Sequence, residues 1–132
     1  MTDLHVPEQP LPRKYLQSIL FLAYRMAEAD GAAVPRERRM IEILAEAVDM
    51  RDFRRDRDYN LLNDSKACSM LDLATAKDAA LVVISLIMKA DFENKEQERA
   101  YFSKIRALLG CGPITVPTDL QAHKKLALKF LA

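Results

Sequence analysis

The sequence has no tryptophan, two histidines, two cysteines and three glycines among its 132 residues. Each scarcity removes a class of chemistry. His5 lies in a proline-containing lead-in and His123 near the C-terminus, so a Ser-His-Asp triad or a di-iron Glu-x-x-His pair has no support. With so little glycine there is no phosphate-cradling loop and no Walker or Rossmann signature. Cys68 and Cys111 stand far apart without metal-ligand spacing, and the free thiols of a cytosolic protein fit better than a lone disulfide. No long hydrophobic run is present: Leu81–Met88 spans eight residues, against roughly 20 for a membrane helix. The N-terminus lacks the apolar core of a signal peptide. A net charge of +1 creates no strong field for nucleic acid or an anionic membrane. The expectation is a cytoplasmic protein with neither membrane insertion nor nucleic-acid binding.

What remains is rich in helix formers. Half of the residues are hydrophobic and 30% are charged, a balance that suits a globular domain with a real core. Pro7, Pro10 and Pro12 mark residues 1–12 as a flexible lead-in, and residues 13–132 read as a single domain. Apolar residues at spacings of three and four predict a first helix from about Pro12 to Ala29, stopped by Gly31. Pro35 opens a second helix that ends near Asp49, although Val34 is a poor cap. The run Arg51–Asp58 mixes both charges and predicts a solvated face. A short helix follows over residues 65–74. Thr75 then caps a helix to about Ala90 that is apolar nearly all round and therefore central to the core. Asn94 caps the next helix, which places Phe102 in the core, Tyr101 at partial exposure and a stop at Gly110. Thr118 opens a last helix to Leu131 in which His123 is a surface or packing residue. No strand is predicted. The fold expected is an all-α bundle of six or seven helices.

One motif occurs twice. Ala29-Asp30-Gly31, followed by Glu37-Arg38, recurs as Ala90-Asp91-Phe92, followed by Glu98-Arg99, at an offset of 61 residues (91 − 30). The register runs without a gap from Ile19/Ala80 to Val48/Leu109. The bundle is therefore expected to contain two related helical hairpins with acids at their joints.

An Asp at a helix C-terminus opposes the helix dipole, so something must offset it. Two accounts do. In the first, Asp30 and Asp91 accept N–H bonds from the following helix, while Glu37 and Glu98 occupy first turns where negative charge is favoured. In the second, Asp30, Glu37, Asp91 and Glu98 converge on a divalent cation, for which all-oxygen ligands suit Ca²⁺ or Mg²⁺. Neither loop has the alternating oxygen ligands of an EF-hand. The second, Asp91-Phe92-Glu93-Asn94, offers more oxygen donors than the first.

This arrangement resembles the TerB-like (tellurite resistance protein B) domain: Ala-Asp-Gly at a helix end, an apolar residue soon after, Glu seven residues beyond the Asp, and a second copy. The likeness covers about residues 15–110, with Met26–Gly31 through Glu37 the nearest match. Phe92, Val34 and Arg36 depart from the family pattern. The resemblance implies an all-α bundle of two related halves, metal at Asp30, Glu37, Asp91 and Glu98, and a role in stress response. It implies a non-enzymatic binding or scaffold module with an as yet unidentified protein partner. The alternative is a pure protein-interaction module whose acids only cap helices, and which carries an exposed apolar groove beside the C-terminal helix.

Overall fold

Helix α1 (Arg13–Ala27) starts where Pro12 fixes the backbone and offers its carbonyl to the N–H groups of Tyr15 and Leu16. Pro35 occupies the first position of α2 (Pro35–Ala47), where a missing N–H costs nothing. A 3₁₀ turn (Phe53–Arg55) and the short α3 (Arg57–Asn60) lead to α4 (Asp64–Met70). Then come α5 (Ala74–Ala90), α6 (Glu96–Leu109) and α7 (Leu120–Leu131). The computed structural model describes residues 6–29, 31, 34–90 and 96–131, and among these there are seven helices and no strand. The all-α bundle is as expected.

Helix α5 is the hub. Its buried residues run from Ala76 to Ala90 on every face, and it packs on α1, α2, α6 and α7. A helix with no polar face has no other stable place. α1 is the second axis, packed most closely against α5. Their buried side chains belong to one contiguous core that also takes in Ile41 and Leu44 of α2, Ile105 of α6 and Phe130 of α7.

The duplication goes deeper than two hairpins. Arg13 and Ala74 open α1 and α5, and Pro35 and Glu96 open α2 and α6, each pair 61 residues apart. The register continues into the caps. After α2, the Met50 N–H bonds to the Ala45 carbonyl at 2.8 Å and Asp49 adopts φ 58°. After α6, the Cys111 N–H bonds to the Arg106 carbonyl at 3.1 Å and Gly110 adopts φ 70°. Both are Schellman stops, in which a left-handed residue lets the chain double back onto the last turn. A third pair of helices then follows. α4 packs against α1 and α6, whereas α7 packs against α5 and α2. Here the offset is 59, because buried Asp64, Cys68 and Leu71 correspond to buried His123, Ala127 and Phe130. Each half is thus a three-helix unit whose third helix bridges to the other half.

Several local expectations are corrected. In α6 the buried stripe is Glu98, Tyr101, Ile105 and Leu109; Ile105 and Leu109 lie in the core as the periodicity expects, but Tyr101 is buried and Phe102 only half-buried, the reverse of the expectation. α5 begins at Ala74, which places Thr75 within its first turn rather than at its cap. Asp119, not Thr118, caps α7, its carboxylate accepting the Ala122 N–H at 2.9 Å. Asn63 caps α4 by accepting the Lys66 N–H at 2.8 Å, and that helix ends at Met70. The Arg51–Asp58 run keeps its charges largely in solvent, but Phe53 within it is buried. Phe53 and Phe21 both pack on the Tyr59 ring, with centroids 5.8 and 5.1 Å away, which pins this segment to α1. The Asn94 cap lies outside the described residues.

Candidate functional site

Of the four acids at the helix joints, Glu37 and Glu98 are described; Asp30 and Asp91 lie outside the described residues. Glu37 is the third residue of α2 and Glu98 the third of α6, and both are fully buried. Oε1 of Glu37 accepts the Val34 N–H at 3.1 Å. This is the reciprocal half of a capping box, made without the usual Ser or Thr because valine has no acceptor to offer. It satisfies a backbone donor that the helix itself cannot reach. Among the described residues no three His, Cys, Asp or Glu side chains gather as a metal centre.

A second acidic residue, Asp64, organises the junction of α4, α1 and α6. Only 8% of its side chain is exposed. It accepts the Tyr101 hydroxyl at 2.9 Å, Nζ of Lys104 at 3.1 Å and, more loosely, Nε of Arg25 at 3.4 Å. Burial works against its charged form, but these donors outweigh burial and hold its pKa below the ordinary carboxylate value. Burial, reinforced by the Asp64 charge, raises the pKa of Tyr101, which stays a hydrogen-bond donor at all physiological pH. Burial likewise pushes the Cys68 thiol up to about 11, which makes it inert core. Arg25, Asp64 and Lys104 open onto a groove of about 730 Å³ that also borders Phe21, Tyr59 and Leu62. Sequence reasoning missed this cluster. Its other members lie 37 to 40 residues from Asp64 in sequence, and Asn63-Asp64-Ser65 reads locally as a turn.

The opposite junction, where α2 meets the end of α5 and the start of α7, is built differently. A groove of about 350 Å³ there is lined by Pro35, Met40, Ile43, Ala90 and Leu120, together with Arg36 and Arg39. Its lining is almost entirely apolar. The groove lies beside the start of the C-terminal helix.

The buried polar residue of α7 is His123. Nε2 lies 2.9 Å from the Val82 carbonyl and 3.2 Å from Oγ of Ser85, while Nδ1 has no hydrogen-bond partner among the described residues. The Val82 carbonyl requires the proton on Nε2, so His123 is a neutral donor. Burial lowers its pKa to about 4 against the opposing pull of that carbonyl, and Lys89 adds to the lowering. Ser85 and His123 touch, but both are buried within the α5–α7 interface and line neither groove. They form a packing contact.

No family model, no curated protein and no solved structure matches this chain. No helix of the described residues is long and apolar enough to cross a membrane.

Proposed function

We propose that this chain is a non-enzymatic, TerB-like binding module that docks an acidic amphipathic helix of a partner protein. One observation carries the reading: the apolar groove formed by α2, α5 and α7, with Arg36 and Arg39 among its lining residues. An apolar cleft prefers an occupant that buries hydrophobic side chains, and the guanidinium groups of Arg36 and Arg39, the latter also 3.5 Å from the Glu42 carboxylate, favour acidic flanks. The capping bond from Glu37 to Val34 supports a structural role for the acid of the first joint. A scaffold role in stress response is the biological setting that the resemblance suggests.

The test combines capture with reconstitution. A partner retained by the intact protein should be lost on Ile43→Glu and weakened by Arg36→Glu with Arg39→Glu, while thermal unfolding stays cooperative. An acidic amphipathic segment of that partner, made as a peptide, should bind the intact protein and not the Ile43→Glu variant. Equal binding to both would remove the groove from the proposal.

A second reading, a divalent cation held by Asp30, Glu37, Asp91 and Glu98, is favoured by the complete burial of both glutamates at equivalent helix starts. Calorimetry with Ca²⁺, Mg²⁺ and Zn²⁺ on the intact protein and on Asp91→Ala tests it. Absence of binding by the intact protein would sink it.

A further inference from the structure

We propose that the groove between α1, α3, α4 and α6 binds a small organic anion, a carboxylate or phosphate head on an aromatic or apolar body, through Arg25 and Lys104. This groove shares no lining residue with the apolar one.

The charge balance comes first. One buried carboxylate, Asp64, faces two cations. Arg25 gives it Nε, and Lys104 gives it one of three ammonium hydrogens. The two side chains remain 47% and 56% exposed, so their remaining donors face the groove and solvent. A guanidinium held through Nε keeps its two terminal NH₂ groups for an oxyanion. Other polar groups on the wall are Asn60, Asn63 and Ser65, and no second acid among the described residues lines it. Asn63 uses its oxygen on the Lys66 N–H, which leaves its amide NH₂ as a donor. The floor is Phe21, Leu62 and the Tyr59 ring, which suits an apolar body behind the charged head.

The duplicated fold shows that these charges are not demanded by the architecture. The offset of 61 that relates the halves places Ile43 at the position of Lys104 and Leu86 at that of Arg25. The corresponding junction of α7 with α5 and α2 is therefore built without either cation. A tie between three helices can be made without cations, and one half of this protein makes it so, through the neutral His123. The cations of the other half call for a different reason, and an anionic ligand supplies it.

The experiment is a ¹H–¹⁵N titration of the full chain with phenyl phosphate, benzoate, inorganic phosphate and benzyl alcohol. Saturable shifts of the amides of Asn60, Ser65 and Lys104 are expected with phenyl phosphate and benzoate. Inorganic phosphate should bind more weakly because it lacks the apolar body, and benzyl alcohol should not bind. The order of phenyl phosphate and benzoate identifies the preferred head. Arg25→Gln and Lys104→Gln should each weaken binding about tenfold or more, the scale of one charge-assisted contact. Because both residues also tie to Asp64, Asn60→Asp provides the independent variant. It places a negative charge in the groove without removing a member of the tie and should abolish binding while unfolding stays cooperative, with only the small cost of an acid at the end of α3. No saturable shift at these amides, or undiminished affinity in Asn60→Asp and Arg25→Gln, overturns the proposal.

Discussion

Acid should weaken this protein through one buried imidazole. His123 has no exposed surface, donates Nε2–H to the Val82 carbonyl and has no partner for Nδ1 among the described residues. Protonation would place a second N–H, and a charge, where nothing receives either. The pKa falls from 6.5 to about 4 as a result, burial being the leading cause and Lys89 a lesser one. The unfolded chain therefore takes up the proton first as pH falls. Stability is complete above about pH 6.5 and declines down to about pH 4, since the unfolded state binds more protons throughout that interval. A shift of this size corresponds to about 3 kcal/mol, a large share of the margin of a small domain.

Urea unfolding of the intact protein and of His123→Gln from pH 7 to pH 4 isolates the effect. Glutamine can still donate to the Val82 carbonyl but does not titrate. Its substitution carries a fixed cost, but the gap between the two proteins should narrow by about 3 kcal/mol across the interval. Asp64 does not confuse the result. Its depressed pKa means that its contribution is intact above about pH 4 and is lost only as pH falls further. Parallel decline of the two proteins between pH 6.5 and pH 4 would refute the argument. So would an NMR titration in which His123 protonates near its ordinary value.

Three further outcomes are expected. Asp49→Gly should stabilise by about 0.5–1 kcal/mol and Gly110→Ala destabilise by about 1 kcal/mol, because both positions have left-handed φ and nothing crowds a Cβ at Gly110; thermal melts read both. Glu37→Ala should cost about 1–3 kcal/mol in chemical denaturation from the lost cap and a buried void, and Glu37→Gln much less, since the amide oxygen can still accept the Val34 N–H. Phe130→Ala should cost about 3–5 kcal/mol by the same measurement, as its ring is wholly buried where α7 meets the core.

The legible parts of the fold were those governed by local rules. An apolar-all-round segment had to be the central helix, and α5 is. Gly110 had to be a stop because its conformation suits glycine, and it is. Pro35 and Glu37 marked a helix start whatever lay around them. Misreadings came where tertiary contacts chose between local alternatives. Tyr101 and Phe102 are adjacent, so helical periodicity admitted either. The buried Asp64 carboxylate, which needs a hydroxyl donor, selected the tyrosine. Thr118 and Asp119 were both competent caps, and the start of α7 at Leu120 chose the aspartate. The correspondence between the third helices of the two halves escaped notice because their offset is 59 rather than 61 and their polar residue changed from Asp64 to His123. The Arg25–Asp64–Lys104 cluster left no local trace, since its members meet only after folding.

The two halves show which features a duplicated backbone must keep and which it can exchange. Glu37 and Glu98 persist because they occupy the same first-turn position in α2 and α6. The bridge made by the third helix has no such constraint, so one half uses Asp64 with charged partners and the other His123 with a carbonyl. This makes a sharp prediction about energy. Asp64→Ala alone should cost about 3 kcal/mol, because it strands the buried Tyr101 hydroxyl and leaves two neighbouring cations without their anion. Replacing the whole set (Arg25→Leu, Asp64→Ala, Tyr101→Phe and Lys104→Ile) should recover most of that loss, since apolar packing often equals or exceeds a buried ion pair. The quadruple variant should also lose all affinity for phenyl phosphate. If it unfolds as readily as Asp64→Ala, the charged tie is itself a requirement of the fold, and the second half's uncharged solution does not transfer.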